Sequence, residues 1–202
     1  MAKIGCNHHC GILVACILLW ALPGCSRSWV YDQPIHTISL PSTTNPIDLQ
    51  VKLVITEEYR NAKYQHDIFI IPIGENLVHH TVELMRNVFA HPMFKEDPID
   101  PPREPAQYVM TPMLVQFDRA WGRHSLEEVK TSISVEWKLT NSAKDLMWIE
   151  TVQGRAFNIP DADRDEHRRT HIKTALQDLF QKSQEVMLSS NFLRKLQFAQ
   201  IK

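Results

Sequence analysis

Apolar and polar residues alternate from Ile47 onward: Leu49, Val51, Leu53 and Ile55 are interleaved with Gln50, Lys52 and Thr56. That period of two predicts a half-buried strand. Ile68-Phe-Ile-Ile-Pro-Ile73 predicts a second strand, covered on both faces, with Pro72 confined to an edge or a strand end because proline has no N–H to donate. At Gly74 the period changes. Glu75 opens a predicted helix of about sixteen residues, its charge suited to the N-terminal dipole, and Leu77, Val78, Thr81, Val82, Met85, Val88 and Phe89 form its apolar stripe. Residues 91–107, with Pro92, Pro98, Pro101, Pro102 and Pro105, read as a long loop, either a partner-docking segment in polyproline II or a stiff surface connection.

Three more strands follow. Val109, Thr111, Met113, Val115 and Phe117 mark one face of the third, and Ile133, Val135, Trp137 and Leu139 mark one face of the fourth. The polar segment Asn141-Ser-Ala-Lys-Asp145 has hairpin length, and Leu146 to Gln153 supplies the fifth, closed by a bulge or strand end at Gly154. Asp163 and Glu166 resemble a capping box ahead of a helix that carries Ile172, Ala175, Leu176, Leu179, Phe180, Val186 and Met187. Phe192-Leu-Arg-Lys-Leu-Gln-Phe198 is an amphipathic tail, read either as docked on the domain or as a detachable contact. The predicted order is β-β-α-β-β-β-α. Its economical packing is an α+β two-layer sandwich, a mostly antiparallel sheet with two helices on one face.

The 202 residues, 44% hydrophobic and 22% charged, suffice for one such domain and a leader. A formal charge of -1, with no basic stripe interleaved with aromatics, argues against nucleic acid. All four cysteines, Cys6, Cys10, Cys16 and Cys25, precede residue 26, so no disulfide is expected within the body. One lysine and two histidines come before the unbroken apolar run Gly11 to Leu22. That run is shorter than the roughly 20 residues of a membrane span and has the length of a signal-peptide core.

Leu22-Pro-Gly-Cys25 closes the run, and it resembles the bacterial lipobox. Leu22 and Gly24 fit the motif; Pro23 departs from its usual Ala, Ser or Thr. The resemblance implies cleavage between Gly24 and Cys25, and acyl chains on Cys25 as the anchor. Ser26, rather than Asp, implies transfer to the outer membrane under the sorting rule of enteric bacteria. Residues 26–47, with Pro34, Pro41 and Pro46, read as a tether reaching up to roughly 70 Å when extended. The expected organisation is therefore 1–24 signal peptide, 25–47 lipidated cysteine and tether, 48–190 periplasmic domain and 191–202 tail.

The element order behind a lipobox is similar to small periplasmic lipoproteins that assist envelope lipid transport or lipopolysaccharide assembly. What that implies is a binding, scaffold or accessory subunit of an envelope assembly; a lipid-carrying module with an apolar cavity and an envelope hydrolase are the alternatives. Candidate partner contacts are Pro98, Pro101 and Pro102 in the loop and Phe192, Leu193 and Leu196 in the tail.

Catalytic signatures are sparse. The body's glycines are Gly74, Gly122 and Gly154, which supply neither a phosphate cradle nor a Gly-x-Ser-x-Gly elbow, and no enzyme activity or cofactor is expected. His167 and His171, four apart, share a helix face, as do His80 and Glu83. Glu166-His-Arg-Arg-Thr-His171 lacks the order of a zinc-protease helix, however, and His79, His80 and Glu83 fall beside the apolar stripe, as on a solvated face. Asp161-Ala-Asp-Arg-Asp165 fails as a calcium loop, because Glu166 stands where glycine is needed and Ile172 where the bidentate Glu belongs. No metal is expected.

Overall fold

A computed structural model of the chain describes residues 29–30, 38–66, 69–94, 106–120, 130–157 and 164–200. Cys25, Gly24, Pro98, Pro101 and Pro102 lie outside the described residues. The elements are β1 (Trp29–Val30), β2 (Ile47–Leu53), α1 (Glu57–Arg60), β3 (Lys63–His66), β4 (Phe69–Pro72) and α2 (Gly74–Val88), then β5 (Phe89–Phe94), β6 (Tyr108–Ala120), β7 (Lys130–Asn141), β8 (Leu146–Phe157), α3 (Arg164–Met187) and α4 (Ser190–Gln200).

The fold is α+β, but its main sheet is mixed. Five strands lie in the order β5-β2-β6-β7-β8, with β2 parallel to both β5 and β6 and the β6-β7-β8 meander antiparallel. The expectation of a mostly antiparallel sheet is corrected on its β5-β2-β6 side. Alternation reveals a strand but not its direction; here α2 carries the chain back over the sheet, so β5 re-enters beside β2 with the same heading. The predicted second strand belongs elsewhere: β4 pairs with β1 and β3 in a separate three-stranded sheet, with Pro72 at its end. Tyr64 of β3 ties this small sheet to β6, its ring centroid 4.8 Å from that of Phe117.

Four elements escaped the periodic reading, the first being β1, which pairs with β4 from within the expected tether. Helix α1 is a single turn capped by Thr56, whose Oγ1 accepts from the Tyr59 N–H at 3.2 Å, and it inserts Tyr59 into the core, where the phenol meets Thr81 Oγ1 at 2.9 Å. Strand β3 is short. Strand β5 occupies the start of the expected loop; Pro92 is tolerated because β5 is an edge strand.

The face assigned to β6 is reversed over its first half. Tyr108 and Met110 are buried, whereas Met113 and Val115 are exposed at 44% and 52%. Both faces of this strand carry apolar side chains, and the register shifts between Leu114 and Gln116, which inverts the alternation partway along. Pro112 faces Trp137 of β7 beyond the point where β2 stops pairing with β6 at Met110, so its missing N–H breaks no ladder to β2.

The β7 face is as predicted: Ile133, Val135, Trp137 and Leu139 are fully buried. Helix α3 lies across them. Trp137 Nε1–H donates to Ser183 Oγ at 3.0 Å, and that hydroxyl donates to the Leu179 carbonyl at 2.8 Å, so the indole is buried without an unpaired donor. Gly154 is no bulge. It pairs regularly with Ile133, and a Cβ there would stand 2.1 Å from the Ala175 carbonyl oxygen and 2.5 Å from Leu179 N. Its lack of a side chain lets α3 approach the strand backbone to backbone. The outer edge of β8 is guarded by the same helix, as the Arg155 N–H donates to Asp178 Oδ2 at 2.8 Å and Lys182 Nζ reaches both Asp178, at 2.7 Å, and the Gln153 carbonyl, at 3.5 Å.

The ordered body begins upstream of residue 48. Ile38 is buried; Ser39 and Gln177 exchange two hydrogen bonds of 3.2 and 2.6 Å; Gln184 Nε2 donates to the Pro41 carbonyl at 2.8 Å and to Thr43 Oγ1 at 2.9 Å. Residues 38–43 are strapped along α3, which shortens the expected tether. Amide side chains on a distant helix satisfy this backbone, and no local pattern announces them.

Candidate functional site

Among the described residues lies a cleft in which apolar side chains remain half-open to solvent. Where β2 and β5 end, the sheet is no longer roofed by α2, and a space of about 480 Å³ opens between Leu53, Val54 and Ile55, the α2 residues Val78 and Val82, and Phe94. The size falls within the roughly 300–1,000 Å³ of ordinary ligand pockets. Its location, beyond the carboxyl ends of parallel strands where the chain order reverses about β2, is where open α/β sheets form crevices.

Sequence dictates the walls piece by piece. Ile55 continues the apolar alternation past the end of β2, and Val54, whose N–H donates to the Met110 carbonyl of β6 at 2.9 Å, adds a second apolar side chain between the alternating positions; both are half-buried. Val78 and Val82, one helical turn apart, lie at the margin of the α2 stripe, whose centre, Leu77, Leu84, Met85 and Val88, is fully buried. Gly74 fixes the angle between α1 and α2: its N–H and that of Ile73 both converge on the Ala62 carbonyl, at 2.9 and 3.0 Å, and a Cβ on it would stand 1.9 Å from the Arg60 carbonyl oxygen. Arg60 and Glu57 thereby line the α1 side, with Glu57 accepting from Asn61 Nδ2 at 3.3 Å. Phe94 closes the far wall, 5.3 Å from the Arg86 guanidinium, a cation–π contact. Among the described residues that line the cleft there is no hydroxyl, thiol or imidazole; the surface suits an apolar group flanked by one acid and one base.

A second cluster lies on α2. His80 Nδ1 donates to Glu83 Oε2 at 2.8 Å, and His79 Nε2 lies 3.4 Å from Glu83 Oε1. The solvated-face reading is corrected for His80, which is 1% exposed against Phe180, with ring centroids 5.7 Å apart. Burial lowers its imidazole below the ordinary value of 6.5, against the upward pull of the Glu83 hydrogen bond and charge. Among the described residues these three are the one grouping of potential metal ligands. His171 is buried in α3.

Of the expected partner contacts, Phe192 and Leu196 are buried. Phe192 stacks edge-on against Trp148 with centroids 4.9 Å apart and also faces Phe89, so α4 is docked on the domain by an aromatic cluster. Leu193 alone of the three tail residues is exposed, at 36%. Leu53 and Ile55 were read as strand positions, Val78 and Val82 as stripe positions and Phe94 as part of the 91–107 loop; the available signal was the excess of apolar residues past the end of β2 and on the flank of α2. No helix of the described residues is long and apolar enough to cross a membrane.

No family model matches the sequence, and no curated protein is significantly similar to it. Solved structures are similar to it. A Xanthomonas campestris protein of the family DUF330 aligns with a TM-score of 0.53 at 10% identity, over 83% of this chain and 99% of that one. A candidate lipoprotein from Caulobacter crescentus CB15 aligns at 0.44 and 10% identity over 76% and 93%. A minor lipoprotein from Acinetobacter baumannii aligns at 0.40 and 12% identity over 70% and 92%.

Proposed function

We propose that this chain is a cell-envelope lipoprotein, anchored in the outer membrane through acylated Cys25, whose periplasmic domain is a non-catalytic binding subunit of an envelope assembly. The anchor reading rests on the lipobox-like Leu22-Pro-Gly-Cys25. The binding reading is carried by the cleft: five half-buried apolar side chains, Val54, Ile55, Val78, Val82 and Phe94, surround an open space of about 480 Å³. Burying such side chains against a partner contributes roughly 25 cal/mol per Å² of apolar surface. Anchoring confines domain and partner to one surface, so moderate affinity gives high occupancy.

Two measurements test the two parts separately. The intact mass of the membrane-extracted chain is expected to lack residues 1–24 and to carry an acyl increment that Cys25→Ser abolishes; an unmodified full-length mass defeats the anchor. A photo-crosslinking residue at Val82 is expected to capture a discrete envelope protein that the same residue at exposed Lys138 does not. Capture of lipid at Val82 replaces the partner reading with a lipid-carrying one, and equal capture at both positions removes the cleft from the function.

A further inference from the structure

We propose that His79, His80 and Glu83 on α2 form a binding site for a divalent zinc-class metal ion. The site is separate from the apolar cleft and does not depend on the function proposed for it. The order His-His-x-x-Glu places one donor from each residue within 4.8 Å of the others. Around a tetrahedral zinc with ligands about 2.0–2.1 Å away, neighbouring donors stand about 3.3 Å apart. The Glu83 carboxylate faces both rings, Oε2 at 2.8 Å from His80 Nδ1 and Oε1 at 3.4 Å from His79 Nε2, so a small rotation of the carboxylate brings one oxygen to that spacing from both nitrogens.

The three ligands differ in mobility in a way that suits metal capture. His80 is held in place by its burial and its contact with Phe180. The His79 ring meets it edge-on, with centroids 4.9 Å apart. His79 is 59% exposed and Glu83 33%, so both can rotate by the small amount that closes the coordination sphere. Two imidazoles and one carboxylate are donors of the borderline character that zinc prefers, and a three-ligand set on a helix surface leaves the fourth position to water or an exogenous ligand. Coordination through His80 Nδ1 requires the neutral tautomer with its hydrogen on Nε2, so the proton now shared with Glu83 relocates within the ring. The nearest cationic side chain along the helix, Arg86, is engaged over Phe94 rather than with Glu83.

The test uses the full chain, purified in detergent and stripped with chelator. Titration with Co²⁺ is expected to produce a ligand-field spectrum without thiolate charge transfer, bleached by Zn²⁺, at one ion per chain. His79→Ala and Glu83→Gln alter exposed or half-exposed groups and leave the buried imidazole intact; each is expected to weaken Zn²⁺ binding by roughly tenfold or more, as loss of metal-site contacts does. His91→Ala, on β5, serves as the control and is expected to change nothing. A spectrum dominated by thiolate charge transfer, which places the metal on the leader cysteines, overturns the proposal, as does Zn²⁺ affinity unaltered in both variants.

Discussion

The two halves of the main sheet are covered by helices in different ways. On the antiparallel side, β7 and β8 meet α3 so closely that Gly154 has no room for a Cβ, the Trp137 indole is hydrogen-bonded within the core, and the outer backbone of β8 is capped by Asp178 and Lys182. On the parallel side, α2 covers the middle of β2 and β5 but not their ends, and Val54, Ile55, Val82 and Phe94 stay half-open. Long antiparallel strands joined by a tight turn finish together, so one helix seals them. Parallel strands linked by a crossover end at a junction of several connections, and there the packing leaves a crevice. The closest helix-to-strand packing lies in one half and the crevice in the other.

The largest test of that contrast is Trp137→Ala. It removes a fully buried indole from the sealed half and is expected to cost about 4 kcal/mol in chemical denaturation; a loss below about 1 kcal/mol would mean that the antiparallel core is not close-packed. Next come the two glycines. Gly154→Ala places a methyl against the backbone of α3 and is expected to cost about 3 kcal/mol, without altering crosslinking from Val82 once the folded fraction is matched. Gly74→Ala presses on the Arg60 carbonyl instead, so it is expected to cost a similar amount and to reduce crosslinking as well, because α1 forms a wall of the cleft. Equal crosslinking losses in the two variants would erase the distinction between the halves. The smallest effect on stability is expected from Ile55→Gln, under about 1 kcal/mol for a half-buried side chain. The same change should abolish partner capture at Val82; full capture would show that the apolar wall is not what the partner contacts.

Legibility followed the same division. The β7 face, the 141–145 hairpin and the α3 stripe were readable because each is local and regular: Ile133 through Leu139 alternate, and the Asp145 N–H returns to Asn141 Oδ1 at 2.8 Å within the loop itself. Strand β5 was hidden by Pro92, which is acceptable only on an edge, and being on an edge is a property of the assembled sheet. The face of β6 was misread because Tyr108, Met110 and Pro112 compete with Val109, Thr111 and Met113 for the same interior, and the shift near Val115 inverts the alternation along the strand. The amphipathic tail permitted two outcomes, and Phe192 chose the core once Trp148 and Phe89 stood together to receive it.

Periodicity and composition were sufficient for the α+β class, five of the strands and the two long helices, because these depend on neighbours a few residues apart. Strand direction, the division into two sheets, the burial of His80, the strapping of residues 38–43 onto Gln177 and Gln184, and the cleft at the ends of β2 and β5 depend on segments far apart in the chain. A side chain's period states which way it points along its own element. What it meets there is decided only when the other elements arrive.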